Sequence, residues 1–209
     1  MKGRFITLEG IEGAGKSTAI EFLADYLSNQ NIDFILTREP GGTEIAEKIR
    51  RLILEHYEET MHPDTEMLLY FAGRAQHLNQ VIIPALQRGQ WVICDRFTDA
   101  TYAYQGGGRG LSQEKISILE NWVQNDLRPD HTLLFDVEVR VGLDRIKKNR
   151  VLDRLEIEKE SFFEKVRDCY LERASKELKR FHIIDANKTV EEVTQQIKDV
   201  LEHLTGAVV

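Results

Sequence analysis

The chain has little cysteine, no long apolar run and no excess of positive charge. Two cysteines in 209 residues, Cys94 and Cys169, cannot build a disulfide framework. Cys94 lies inside an apolar run, the setting of a buried reduced thiol, so a reducing cytosol is expected. No apolar stretch approaches the ~18 residues of a membrane span. The first, Phe5-Ile6-Thr7-Leu8, ends at Glu9 and is too short for a secretion signal. A soluble, cytoplasmic protein is expected. With 28 Lys and Arg against 35 Asp and Glu, the net charge of −7 argues against a general nucleic-acid or membrane-surface binder. A polyanionic ligand must then meet a local group of Arg and Lys. Internal repeats, low-complexity tracts and domain linkers are absent too, so residues 1–209 read as one domain. Its 42% apolar and 30% charged residues suit a globular core.

What is present is an alternation of short apolar runs and longer helical patterns. Strands are predicted at Phe5–Glu9, Phe34–Arg38, Trp91–Asp95, 132–136 and Phe181–Asp185. Their continuous rather than alternating hydrophobicity fits a parallel sheet covered on both faces. Ile20, Leu23, Ala24 and Leu27 form one helical stripe. Val190, Val193, Ile197, Val200, Leu201 and Leu204 form another, opened by the capping box Thr189-Val190-Glu191-Glu192. The fold class is α/β with right-handed crossovers. Ligands of such sheets collect beyond the carboxyl ends of the strands, where Glu9, Arg38, Asp95 and Asp136 stand. Residues 147–160 are so charged that a projecting mobile lobe is expected.

Gly10-Ile11-Glu12-Gly13-Ala14-Gly15-Lys16-Ser17 matches G-x-x-x-x-G-K-[ST] in full, after a strand and at the start of a helix. The glycines let backbone N–H groups turn inward around phosphate oxygens. Lys16 reaches the β- and γ-phosphates, the Ser17 hydroxyl can ligate Mg²⁺, and the helix adds its positive end. Gly10 to Ser17 and the adjoining Thr18 are therefore the expected ATP site. No N-K-x-D guanine motif follows, since Asn187-Lys188 continues as Thr189-Val190.

Arg38 and Arg96 end or follow two other strands and should project toward the crevice, where a second phosphate would account for both. The competing reading is a surface salt bridge, as of Arg38 with Glu39. Asp95 is placed to hold Mg²⁺. A nucleoside kinase needs a carboxylate base for a neutral hydroxyl. A monophosphate acceptor, with a second pKa of about 6, is already anionic and needs only neutralisation and in-line positioning. Two arginines suit the monophosphate.

Several motifs are more specific still: Leu8-Glu9-Gly10, Thr37-Arg38-Glu39-Pro40-Gly41-Gly42, Phe71-Ala72-Gly73-Arg74, Asp95-Arg96-Phe97, Ala103-Tyr104-Gln105-Gly106-Gly107-Gly108-Arg109-Gly110 and Asp153-Arg154-Leu155-Glu156. On these the chain resembles the thymidylate kinase family end to end. The resemblance implies a three-layer P-loop fold with a five-stranded parallel sheet, flanking helices and a mobile lid at about 145–160. It implies transfer of the γ-phosphoryl of ATP to dTMP with Mg²⁺, for dTTP synthesis, in a homodimer, with helices within 64–88 as the expected interface. It further implies that Arg38 and Arg96 hold the dTMP phosphate, Phe71 stacks on thymine and Arg74 bonds its O4. Thr101 and Gln105 would complete the base and sugar contacts, Tyr104 would close the space below C2′, and Glu12 would approach the 3′-hydroxyl. Some family members carry an arginine in the phosphate loop where this chain has Gly13, so the catalytic cation is expected from the lid: Arg150, with Lys148 in reserve. Arg145 is read as part of a helix-packed salt-bridge face.

Two rivals stand beside this reading. One is a kinase for another deoxynucleoside or monophosphate; the other is a nucleotide-dependent switch or assembly ATPase. The acidic residues within 55–66, 156–164 and 191–202 are expected away from the crevice.

Overall fold

The computed structural model describes residues 3–147 and 153–206. Five strands, β1 (Phe5–Glu9), β2 (Phe34–Arg38), β3 (Trp91–Asp95), β4 (His131–Asp136) and β5 (Phe181–Asp185), form one parallel sheet of order β2-β3-β1-β4-β5. Four match the predicted spans, and β4 begins one residue earlier. After β1 the chain crosses toward β2, and after β3 toward β4, so the crevice opens beyond the carboxyl ends of β1 and β3. The central β1 is wholly buried. The edge strands are not covered as expected: Leu36 and Ile183 are 47% and 52% exposed, because each edge has one neighbour instead of two.

The helices are α1 (Lys16–Asn29), α2 (Glu44–Leu54), α3 (Pro63–His77), α4 (Ile83–Gln87), α5 (Thr98–Thr101), α6 (Gln113–Gln124), α7 (Val139–Lys147), α8 (Glu160–Lys176) and α9 (Val190–Thr205). Ala19, Leu23 and Leu27 bury the α1 stripe against the sheet, with Ile20 partly covered. The α9 capping box forms: Glu192 N–H donates to Thr189 Oγ1 at 3.3 Å, and Thr189 N–H donates to Glu192 Oε2 at 3.0 Å. Val190, expected on the α9 stripe, is 61% exposed in the first turn. One face of the sheet packs with α1, α8 and α9 through residues such as Leu8, Leu23, Phe163, Tyr170 and Leu201. The other packs through Phe5, Leu78, Ile82, Val92 and Phe97.

Two wide π-helical turns interrupt the helices, Leu78–Ile82 after α3 and Tyr102–Gly108 after α5. The second brings two glycines, Gly107 and Gly108, against α8. A Cβ on Gly107 would stand 2.8 Å from Cys169 Cβ and from the Lys165 carbonyl, so only glycine permits this approach.

The charged stretch does not project where it is described. Arg154 donates from its backbone N–H to Leu54 O at 3.2 Å and from Nε to Ile53 O at 2.8 Å, while Leu155 and Glu156 are buried. Its charges have partners in the body of the protein, which outweighs their preference for water.

Candidate active site

A cavity of about 520 Å³ opens at the carboxyl ends of β1 and β3. At one end lies the phosphate loop. Gly13, Ala14, Gly15, Lys16, Ser17 and Thr18 line the cavity, with Gly15 capping α1 at φ 91°. Lys16 Nζ donates to the carbonyls of Gly10 and Ile11, 3.0 Å each, which curls the loop around its own ammonium. Burial, together with Arg96, draws that ammonium down to about 8, against Asp95, Glu12 and Glu9. Anionic oxygens in the loop would favour its charged form.

Position 13 of this loop cannot carry a side chain. Its φ is +71°, and a Cβ there would overlap the backbone carbonyl of Gly142 in α7. A Cβ on Gly142 would in turn meet Glu12 O at 2.6 Å. Two peptide planes thus pack directly. Arg145, one turn further along α7, donates to Gly13 O and Ala186 O at 3.2 Å, and it lines the cavity instead of serving only a helix-surface salt bridge.

In the middle of the cavity Arg96 follows β3 with φ 65°, an unusual conformation for a residue with a Cβ. Its Nη2 donates to Glu12 Oε1 at 2.8 Å, and its guanidinium lies 4.8 Å from the Tyr104 ring centre. Tyr104 OH donates to the other oxygen of Glu12 at 2.6 Å. Burial opposes the Arg96 charge, but Tyr104, Glu12 and Asp95 outweigh it and hold its pKa well above the usual value. Asp95 Oδ1 is buried and accepts no hydrogen bond from the protein, although it borders the loop that carries Ser17.

At the far end Arg74 is 1% exposed and held on four sides. Its Nε donates to Glu39 Oε2 at 2.7 Å and its Nη2 to Thr101 Oγ1 at 3.0 Å. The rings of Phe71 and Phe97 are both 4.9 Å from the guanidinium carbon. Nη1 is buried with no partner. Gln105 and Tyr104 line the same cavity.

Several expected site residues stand elsewhere. Phe71 is in a cluster with Met67, Tyr102 and Ile116, and the ring of α3 that lines the cavity is Tyr70. Spacing by four puts Glu66, Tyr70 and Arg74 in one row along α3; the spacing of three from Phe71 to Arg74 selects the ring under the guanidinium instead. Arg38 is not among the cavity residues: its Nη2 grips both oxygens of Glu47 at 2.9 Å at the exposed edge of the sheet. The salt-bridge partner is therefore Glu47, not Glu39, whose carboxylate is taken by Arg74 and by His77 Nδ1 at 3.0 Å. Asp136 is bound by Arg167 at 2.6 and 2.9 Å. Glu9 lies beneath the loop, where its oxygens accept from Phe97 N–H and Tyr170 OH at 2.7 Å. The acidic residues are not all remote, since Glu66 is buried behind Gln105 and Glu156 lines the cavity. Glu156 stands in the Asp153-Arg154-Leu155-Glu156 motif, whereas Glu66 has no local motif and its signal was the row of four along α3. Arg150 and Lys148 lie outside the described residues.

A parallel sheet with a phosphate loop, a second cationic pocket and a Glu12 carboxylate already held by Arg96 and Tyr104 fits a nucleoside monophosphate kinase. A family model for thymidylate kinase matches residues 8–197. The chain is 55% identical over 203 residues to a thymidylate kinase of Vesicomyosocius okutanii, covering 97% of this chain and 99% of that one. It is 58% identical over 201 residues to one of Pseudomonas entomophila, covering 96% of each. The crystal structure of thymidylate kinase from Ehrlichia chaffeensis superposes with a TM-score of 0.77 at 34% identity, over 96% of this chain and 99% of that one. The chain belongs to the thymidylate kinase family.

Proposed function

We propose that the chain moves the γ-phosphoryl of ATP to dTMP, giving dTDP and ADP for dTTP synthesis. The observation that carries the acceptor is Arg74: a buried guanidinium held at Nε and Nη2, with the Nη1 nitrogen left to donate to a ligand carbonyl such as O4 of the base. Tyr70 takes the stacking place expected of Phe71, and Gln105 and Thr101 complete the base site. Tyr104 closes the sugar site, and Glu12 faces the 3′-hydroxyl while it orients Arg96.

ATP occupies Gly10 to Thr18. Lys16 and Arg96 neutralise the phosphates on either side of the transfer, and the incoming phosphate oxygen needs no base. The Arg38 guanidinium reaches the dTMP phosphate only by leaving Glu47, an exchange within an exposed pair worth little. The free Oδ1 of Asp95 and the Ser17 hydroxyl fit a hydrated Mg²⁺, and no group of three His, Cys, Asp or Glu ligands competes for one among the described residues. When bound, the ion neutralises phosphate charge.

Residues 1–209 act as one domain whose lid, at about 145–160, supplies Arg150 to the transferring group. The chain works as a homodimer through α3 with its neighbours α2 and α6, which leave Leu68, Leu52, Ile118 and Trp122 exposed. No helix of the described residues can cross a membrane, and the buried free thiols Cys94 and Cys169 suit a reducing cytoplasm. The test is ADP release with dTMP, dUMP, dCMP, AMP and thymidine as acceptors. dTMP should be preferred; preference for thymidine would overturn the monophosphate reading, and release without any acceptor would favour a switch ATPase.

A further inference from the structure

Glu66 is the least expected carboxylate near the cavity. It is 1% exposed in the first turn of α3, and its partners come from distant parts of the chain. Gln105 Nε2 donates to its Oε1 at 2.7 Å. Arg154 Nη2 donates to its Oε2 at 2.5 Å, and Arg109 approaches both oxygens at 3.4 Å. Burial alone would raise its pKa, but the Gln105 hydrogen bond, Arg109 and Arg154 outweigh burial and hold it below the ordinary value. It is an ionised group that does not touch the cavity.

An ionised carboxylate only accepts hydrogen bonds. The Gln105 carboxamide must therefore turn its NH₂ toward Glu66, which leaves Oε1 as its remaining polar atom at the cavity. The orientation of a glutamine amide is usually free to adapt to a ligand; here it is dictated from behind. Arg74 is treated the same way, with Glu39 and Thr101 holding two nitrogens and Nη1 left over. Thr101 and Gln105 are four residues apart across the start of the second π-helical turn. The cavity thus offers one fixed donor and one fixed acceptor. A 4-keto pyrimidine presents the matching pair, an O4 acceptor next to an N3–H donor. A 4-amino pyrimidine presents the reverse, an NH₂ donor next to an N3 acceptor, and would face donor with donor and acceptor with acceptor.

We propose that Glu66 is a positioning residue that sets the choice between 4-keto and 4-amino pyrimidine nucleotides by fixing the Gln105 carboxamide. The proposal rests on the assignment of this cavity to dTMP. Through Arg154 the same carboxylate also anchors the part of the proposed lid from residue 153 onward, so its two duties need separate readouts.

Glu66→Gln supplies the test, because an amide at position 66 accepts either orientation of Gln105. The ratio of kcat/KM for dTMP to that for dCMP should fall about tenfold or more, as expected for one misdirected buried hydrogen bond, with the KM for ATP unchanged. An equal fall for both nucleotides, with the ratio intact, would mean a purely structural role and overturn the proposal. In a Gln105→Ala background the effect of Glu66→Gln on the ratio should vanish; persistence overturns it. If Glu66→Gln does not fold, two further variants decide. Gln105→Ala should collapse the ratio, and Arg154→Ala, which leaves the Glu66–Gln105 pair intact, should lower kcat with the ratio retained; the opposite pattern overturns the proposal. A wild-type protein that prefers another acceptor to dTMP would instead refute the underlying assignment.

Discussion

The two ends of the cavity are built by different means. The phosphate end is made of main chain: glycine turns, a helix N-terminus and a lysine bonded to its own loop carbonyls. The base end is made of side chains held by other side chains, with Glu39 and Thr101 on Arg74 and Glu66 on Gln105. Main-chain geometry is local, so it is written in a short run of sequence. A side-chain relay draws on β2, α3, α5 and residues beyond 150, and its information is spread over more than 100 positions. In the proposed function the first end holds the polyphosphate and the second discriminates the base.

The largest expected effect breaks the base end alone. Arg74→Ala leaves Glu39 buried without its main cation and should cost about 3–5 kcal/mol of stability. kcat/KM for dTMP should fall by roughly 10²- to 10³-fold, as for loss of a charged contact in a buried site. Steady-state kinetics on folded protein checks the separation, for the KM for ATP should stay near that of the wild type. Equal movement of both KM values would mean that the ends are not independent.

Gly13→Ala strikes the other end. The left-handed backbone costs a non-glycine residue about 1–2 kcal/mol, and the overlap with the Gly142 carbonyl adds to it. Thermal unfolding should show the loss, and the KM for ATP should rise more than that for dTMP. The reverse order would break the comparison.

A third effect concerns the seam between the ends and is read in stability alone, not in either KM. Glu9 bonds Phe97, whose ring supports Arg74, and Tyr170, which packs on Tyr104. Burial, with Asp99, pushes Glu9 from 4.5 up to about 8, against Tyr170, Arg96 and the Phe97 N–H. The folded protein therefore binds this proton more tightly than the unfolded chain. The resulting stability is full below 4.5 and is lost as pH rises through about 8. Glu9→Gln should flatten that part of the melting-temperature profile between pH 5 and 8; profiles parallel to the wild type would refute it.

The strands and the phosphate loop were legible because their signals are short and contiguous. Motifs pointed to Arg74 and Gln105, which both line the cavity. Phe71 was misplaced because a helix face admits spacings of three and four alike, and only packing against Tyr102 and Ile116 decides between them. Arg38 was read toward the crevice because a strand end fixes the position of a Cα but not the partner of a long side chain, and Glu47 lies in the next helix. The charged segment after 147 looked solvated because Arg154 is far in sequence from Ile53 and Glu66, which receive its hydrogen bonds.

The contact between Gly13 and Gly142 also limits how this sequence can drift. Each glycine is obstructed by main-chain atoms of the other segment, so no second substitution can make room for a side chain at either place. The two positions are bound together by mutual exclusion. The remaining way to admit a side chain is to shift α7 as a body, and α7 leads directly into the residues proposed as the lid. A homologue with a larger residue at either position must therefore hang its lid from a displaced hinge.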